Sequence, residues 1–587
     1  MNLYHDSRSP ECRAPVGAAP CGYPIRLRLF GTENIGRAQL IWMVNGKREY
    51  MDMSPAGDDC FEARLHAPDA PAICQYFFYV ENRSGAGEYY GNAWDGLGGV
   101  GTASGPEPVP YQVTVYDPAY RTPEYLRNGV MYQIFPDRFY RSRMPRSERK
   151  DLLLHERWED TPLRRVESVP DKDNYALDFF GGDLKGIEEK LDTLRELGVT
   201  VLYLNPIFRA RSNHRYDTGD YEQIDPLLGD EEAFSSLCRA AQQRGMRVML
   251  DGVFSHTGAD SRYFNWYGHY GETGACQSKE SRYYPWYTFR QWPDDYACWW
   301  GITTVPELNK RNEDVREYFL GEDGIVRRWI RQGAAGWRLD VADELPMDYL
   351  RRLRKSAKAE REDAVVLGEV WEDASHKVAY GKMRSYCLGD TLDSVMNYPL
   401  RSAIIDFIMG RSDAEALCRL IRSQQENYPV PFYYSLMNLL GSHDRPRILS
   451  LFCGAVSGDD DHGNGEAIQV SAEALALGRR RLLAAMEIVT ALPGIPCVYY
   501  GDECGAQGAA DPYCRGTYPW GREDKSLREA YRDLLELRRQ PVVRTGRLTV
   551  RSEGPDVIVI RREISGGHDV FGDPAENATF EARITRP

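Results

Sequence analysis

The sequence predicts a multidomain α/β chain: an eightfold β/α barrel with a long insertion, a β-sandwich before it and a short β segment after it. Three observations predict this. Four acids, Asp251 in VMLDGVFSH, Asp340 in GWRLDVADE, Glu369 in VVLGEVW and Asp444 in LLGSHD, each end a strand-like block, and in one parallel barrel such ends converge on one mouth. Segments of helical spacing, KGIEEKLDTLRELG and EEAFSSLCRAAQQRG, are each followed by an apolar strand. The 587 residues exceed one ordinary domain, whereas a barrel with insertions reaches roughly 400 residues.

Taken in order, residues 1–119 hold alternating runs, PIRLRLF, AQLIWMV and CQYFFYVE, separated by Gly, Asn and Asp turns, which is a sandwich pattern. The barrel spans 120–540, with GVMYQIFPDRF as its first strand region and VTVLYLNPIF as its second. After Asp251 a Tyr- and Trp-rich excursion, about 257–310, is too long for a simple loop. Most of its aromatics are expected to pack the excursion itself and some to meet a ligand. The Asp/Gly-rich SGDDDHGNGEA follows the seventh strand, and residues 541–587 hold VIVIRRE and ATFEARIT as strands.

A net charge of -14 argues against nucleic acid or an anionic membrane as partner, and no apolar run reaches membrane-spanning length. The amino terminus has neither a basic start nor an apolar run, and the 13 cysteines are odd in number and without paired metal spacing. They read as reduced thiols of a cytoplasmic protein. At 12% aromatic the composition suits sugar stacking, though aromatics mostly serve cores.

Converging carboxylates suit glycoside hydrolysis, in which one group attacks the anomeric carbon or activates water and another protonates the leaving oxygen. Asp340 and Glu369 are the pair. Arg338 lies two residues before Asp340 on a strand, so the two share a side, and its guanidinium is expected to keep Asp340 ionised. Leu367, Val370 and Trp371 are expected to wall Glu369 with apolar surface and raise its pKa. Taken singly, an acid beside an Arg is more often an ion pair; buried acids are costly unless paired or used, and four at strand ends point to use.

These blocks, together with GGDLKGI, SNHRYDTGDY, TVPELN and GIPCVYYGDE in that order, resemble the signature regions of the α-amylase family of glycoside hydrolases, and LNPIFRARSNHRYDTGDYEQIDP resembles its neopullulanase, cyclomaltodextrinase and maltogenic amylase branch. The resemblance implies that Asp340 is the nucleophile, Glu369 the acid/base and Asp444 the third acid, which holds the 2- and 3-hydroxyls of the sugar. It implies substrate binding at Tyr216 as aromatic platform, at His256, Arg338 and His443 as a hydrogen-bonding wall, at Asp217 and Asp251 as supports, and at Glu344, Trp371, Asp511 and Arg515. Asp251 also reads as purely structural, and Asp511 with Arg515 as a structural ion pair.

The resemblance further implies that the excursion is the family's domain B, that the first domain is starch-binding-like or merely packing, and that the chain is a homodimer. The implied reaction is retaining cleavage of α-1,4 bonds in maltooligosaccharides, cyclodextrins or pullulan through a covalent glucosyl-enzyme. The alternatives are an α-glucan transglycosylase, an α-1,6-glucosidase or, without turnover, a carbohydrate-binding protein on an inactive barrel. Glu307 stands where the branch commonly has Lys, and Asp343 where it has Asn; both add negative charge on the acceptor side and put the balance of hydrolysis and transfer in doubt. Relatives often place calcium after the first strand and against the GGD turn. Here Gly181 and Asp183 remain, but the other half is YRSRMPRSERKDL, a poor donor of oxygens, so no obligatory metal or other cofactor is expected.

Overall fold

A computed structural model describes residues 2–32, 35–57, 59–169, 173–459 and 469–587. Eight parallel strands follow one another round a single sheet: β1 Met131–Ile134, β2 Val201–Leu204, β3 Arg247–Gly252, β4 Gly336–Leu339, β5 Val365–Gly368, β6 Ser394–Val395, β7 Met437–Leu439 and β8 Ile495–Tyr499. β8 pairs with β1, and a parallel bridge between Met396 and Met437 brings β6 against β7, which closes the barrel. Runs such as VLYL and VVLG are apolar throughout because both strand faces are covered. Met131, Val201, Tyr203, Met249, Leu367 and Cys497 fill the interior.

The outer helices begin where short polar side chains satisfy free backbone N–H groups. Asp230 accepts from Ala233 N ahead of Glu231–Gln243, Asp413 from Ala416 N ahead of Ala414–Asn427, and Ser471 from Ala474 N ahead of Ala472–Ala491. Between β5 and β6 no helix forms; a small hairpin, Val378–Ala379 with Lys382–Met383, takes its place. The regular alternation of strand and helix does not foretell that hairpin.

Before the barrel, strands from Asn2–Tyr4 to Tyr111–Tyr116 build a five-stranded and a seven-stranded sheet, mostly antiparallel, round Leu27, Leu40, Trp42, Tyr76 and Phe78. Arg8 and Arg13 of this part reach Glu426 of the barrel at 2.9 and 3.0 Å. The excursion after β3 holds itself together by ring contacts, Phe264 with Tyr287 at 4.9 Å and Tyr263 stacked on Trp286 at 5.4 Å.

At the end of the chain, VIVIRRE and ATFEARIT do form strands, Val557–Ile564 and Ala578–Thr585, and Arg547–Ser552 adds a third. Arg562 and Arg538 anchor this segment by donating to Ala491 O and Leu492 O, at the carboxyl end of the 20-residue helix, where a cation suits the dipole. Of SGDDDHGNGEA, residues 460–467 lie outside the described residues; within its described start Asp459 pairs with Arg401 at 2.7 Å. The thirteen cysteines are all free thiols, most of them buried. Among the described residues no helix is long and apolar enough to cross a membrane.

Candidate active site

Side chains alternate along the barrel strands, so the parity that turns Met249 and Leu367 inward also turns Asp251, Arg338 and Glu369 inward. Their residues end β3, sit in β4 and follow β5, so they gather at one mouth. The Arg338 guanidinium lies among three carboxylates: Nη1 donates to Asp251 Oδ1 at 2.8 Å and to Asp340 Oδ1 at 3.0 Å, and Nη2 is 2.9 Å from Glu369 Oε2. Arg338 is fully buried.

Sharing one cation among three acids changes the expected electrostatics. The sequence reading gave Arg338 to Asp340 alone and so kept Asp340 ionised. In the structure burial pushes Asp340 well above the usual carboxylate range; Arg338 opposes this and Glu369 adds to it. Burial also raises Asp251. Asp444 is pushed up to about 7, by burial first and then by the Glu369 charge, while Arg515 opposes. One guanidinium is shared among several acids, so at Asp251, Asp340 and Asp444 it opposes burial without overcoming it.

The apolar wall expected around Glu369 is replaced by donors. Val341 N donates to Glu369 Oε2 at 2.8 Å and Trp371 Nε1 to Oε1 at 3.1 Å, while Leu367 points into the barrel. Val341 reaches this position at φ 39° and ψ 60°, a left-handed conformation that a β-branched residue rarely adopts. Such strain persists where surrounding contacts over-determine it, as they do between Asp340 and Glu369. Trp371 is itself stacked on Tyr398 at 3.9 Å.

Behind the carboxylates runs a network of neutral donors. Tyr216 OH and Tyr203 OH donate to Asp251 Oδ2 at 2.8 and 2.7 Å. The Tyr216 ring lies parallel to His443, and His443 Nε2 is 2.7 Å from Tyr216 OH and 3.2 Å from Asp444 Oδ1. Gln133 Nε2 donates to His443 Nδ1 at 2.9 Å, which leaves the proton on Nε2, and burial drives the His443 pKa far down, so the ring is neutral. Gln133 and Asn205, which reaches both His443 Nδ1 and Tyr216 OH, were not singled out in the sequence. The inward parity of Gln133 with Met131 was the available signal.

All these acids except Asp251 face a cavity of about 1170 Å³. Asp251 and Arg338 do not line it: Asp251 accepts from Arg338, Tyr203 and Tyr216, and Arg338 reaches three carboxylates, so both stand behind the cavity wall. Tyr216, Asp217, His256, Glu344, Trp371, His443, Asp511 and Arg515 all line the cavity.

His256 is neutral, its pKa lowered to about 4 by burial, and its Nε2 points at Tyr216 O at 3.1 Å, so its proton is already engaged. Asp217 accepts from Ser212 N at 3.1 Å and is raised to about 6, chiefly by burial. Arg515 pairs with Asp511 at 2.8 Å, donates to His443 O at 2.9 Å and approaches Asp444 at 3.6 Å, so the ion pair and the place at the cavity both exist. Glu344 accepts from the Tyr380 hydroxyl.

Each of the two extra acids has a cationic partner, though Lys377 is shared with Glu372. Glu307 pairs with Lys310 at 2.5 Å; Asp343 pairs with Lys377 at 3.2 Å and accepts from Tyr386 at 2.5 Å. Among the lining residues that the sequence reading did not single out are His214, whose Nδ1 accepts from Tyr216 N at 3.1 Å, and the stacked pair Trp299 and Trp300, of which Trp300 is 80% exposed. The described residues contain no cluster of His, Cys, Asp or Glu fit to hold a metal ion.

A family model described as the alpha-amylase catalytic domain matches residues 133–545. The chain is 37% identical to an amylopullulanase of Thermoanaerobacter thermohydrosulfuricus over 97% of its own length and 41% of that protein. It is 33% identical to neopullulanase 2 of Thermoactinomyces vulgaris, over 82% of the chain and 73% of the relative. A solved cyclic α-maltosyl-(1→6)-maltose hydrolase of Arthrobacter globiformis superposes with a TM-score of 0.63 at 33% identity, covering 76% of this chain and 90% of that one. The chain spans less than half the length of the amylopullulanases it matches, from 33% to 48%.

Proposed function

The chain belongs to the α-amylase family of glycoside hydrolases, and from that premise we propose that it is a retaining α-glucan hydrolase that cleaves α-1,4-glucosidic bonds of maltooligosaccharides, cyclodextrins or pullulan. One observation carries the reading: Asp340 and Glu369 share the Arg338 guanidinium at the mouth of a cavity roomy enough for several sugar units. In the first step Asp340 attacks the anomeric carbon while Glu369 passes a proton to the leaving glycosidic oxygen; in the second, Glu369 takes a proton from water, which displaces Asp340. Asp444, beside His443 and Arg515, accepts two vicinal hydroxyls of the bound sugar, and Tyr216 with His443 supplies its flat support.

A second reading, cleavage of α-1,6 bonds, is favoured by the (1→6)-linked ring named for the superposed hydrolase and by the amylopullulanase relatives. Glu307 paired with Lys310, and Asp343 sharing Lys377 with Glu372, leave the balance of hydrolysis and transfer to a second sugar open. A homodimer and a cytoplasmic setting belong to the same proposal.

The test is a chromatographic product profile with β-cyclodextrin, pullulan and maltotriose, with Asp340→Asn as blank. Panose from pullulan or opening of the cyclodextrin ring by the native protein alone supports α-1,4 cleavage, and maltotriose from pullulan supports α-1,6 cleavage. Products longer than the starting sugar mark transfer, and binding without any product overturns the enzyme reading.

A further inference from the structure

Arg141 is a cation without an acid. It lies in the basic run after β1, and among the described residues no carboxylate pairs with it; its Nη1 donates to His155 O at 3.0 Å and Phe180 O at 3.3 Å, and its Nη2 to Glu156 O at 2.9 Å. Three backbone carbonyls from two chain segments therefore point at one charge. Neighbouring contacts hold these segments in place. Asp137 accepts from Phe180 N and Gly181 N, both at 3.0 Å, and Gly182 N donates to Asp137 O at 2.9 Å. Ser142 Oγ donates to Asp183 Oδ2 at 2.6 Å. Gly181 stands at φ 75°, and a Cβ there would lie 2.6 Å from Pro145 Cγ, so this left-handed turn passes too close to its neighbour for a side chain.

Converging carbonyls beside a carboxylate are what a hard cation collects, and the resemblance puts calcium against this same turn. The residues present do not fit that ion. Calcium takes roughly six to eight oxygens, whereas only three carbonyls converge here, and the nearby Asp183 carboxylate already accepts from Ser142 and from Gly186 N. A planar guanidinium, with several donors and no acceptor, suits them. We infer that Arg141 is a built-in replacement for a bound cation: its guanidinium occupies the carbonyl cage beside the Gly181–Asp183 turn and makes the fold independent of calcium.

The cage bears on the cavity as well. Asp178, two residues before Phe180, holds Asn213 through its carbonyl at 2.8 Å and its carboxylate at 3.0 Å, and Asn213 opens the loop that carries His214 and Tyr216. The guanidinium thus steadies one wall of the cavity through the 178–183 turn.

Thermal unfolding tests this without recourse to activity. The native protein is expected to melt at the same temperature in EDTA and in millimolar calcium. Arg141→Ala is expected to melt several degrees lower, and calcium or methylguanidinium is expected to restore part of the loss. Arg141→Lys, with one ammonium for three carbonyls, is expected to lose less and to ignore calcium. If Arg141→Ala does not fold, the native protein and Arg141→Lys still decide the matter. A melting temperature of the native protein that falls in EDTA and returns with calcium overturns the inference. So does an Arg141→Ala protein that melts like the native one, or one that neither additive rescues.

Discussion

The two walls of the cavity are built on different principles. One is made by the ends of β3, β4 and β5 and the turn after β7: its groups are buried, charged and tied to one another through Arg338, Tyr216 and His443. The other is made by the excursion after β3 and the hairpin after β5: it presents exposed rings, Trp300 and Tyr380, held at the rim by pairs such as Lys377 with Asp343. The first has the rigidity and low polarisability that bond breaking needs. The second can be reshaped without touching the chemistry, so substrate choice belongs there.

The sharpest break in that comparison is a substitution that stops the first wall and spares the second. If Asp340 is the nucleophile proposed above, Asp340→Asn is expected to lower kcat by about 10⁴-fold or more, and Glu369→Gln, as the proposed acid/base, by about 10²–10⁴-fold. Both are expected to bind β-cyclodextrin with nearly native affinity by calorimetry. Loss of binding together with loss of rate would mean that the two walls are not separable.

Arg338→Gln probes the first wall alone. It leaves Asp251, Asp340 and Glu369 without their cation, and stranding buried charge costs about 3–5 kcal/mol. Chemical denaturation is expected to show a loss of that size, larger at pH 8 than at pH 5, because protonated acids need no cation. A loss under 1 kcal/mol would show that Tyr203, Tyr216 and Val341 satisfy the acids unaided.

The difference between the walls also decided what was legible. Acids at strand ends report their own position, because the strand fixes both height and direction; Asp340, Glu369 and Asp444 were therefore readable, as was the barrel round them. What a neighbour does to a residue is not written in its own block. Arg338 read as the partner of Asp340 because they are two residues apart, while its contacts with Asp251 and Glu369 come from β3 and β5 lying beside β4. The second wall was harder still. Trp299 and Trp300 look like the other aromatics of the excursion, and only the folded chain separates the rings that pack from those at the rim. Glu307 and Asp343 read as unpartnered charge because Lys310 and Lys377 are partners that no motif announces.

Asp444 gives a pH test that sharpens the contrast. With its pKa raised to about 7, the native state keeps a proton that the unfolded chain loses near the ordinary carboxylate value. Native protons in excess mean that stability falls as pH rises through that window, from about 4 to 7, so Asp444→Asn is expected to flatten this slope of the melting temperature. In the proposed mechanism the ionised carboxylate accepts the two hydroxyls, so kcat/KM is expected to fall by about tenfold per pH unit below an apparent pKa near 7, with no such limb in kcat. Glu369 is the second cause of the rise after burial. In Glu369→Gln the pH midpoint for maltotriose binding is therefore expected to move down; an unmoved midpoint would leave burial as the whole cause.

The smallest effect belongs to the second wall. Trp300 is stacked on Trp299 at 5.3 Å with its outer face free, so a sugar ring laid on it gains a contact that an alanine cannot replace. Aromatic contacts of this kind contribute about 0.5–1.5 kcal/mol, which is roughly a twofold to tenfold rise in KM for Trp300→Ala. The rise is expected for pullulan and cyclodextrin, which extend to the rim, and to be absent for maltotriose if that short chain stays near Asp340. Lys377→Gln leaves Asp343 with Tyr386 alone and loosens the hairpin on the same rim, so it is expected to shift the ratio of transfer to hydrolysis while kcat on maltotriose holds. A change in kcat on maltotriose for either variant would mean that the rim reaches the bond-breaking groups, and the division between the two walls would fail.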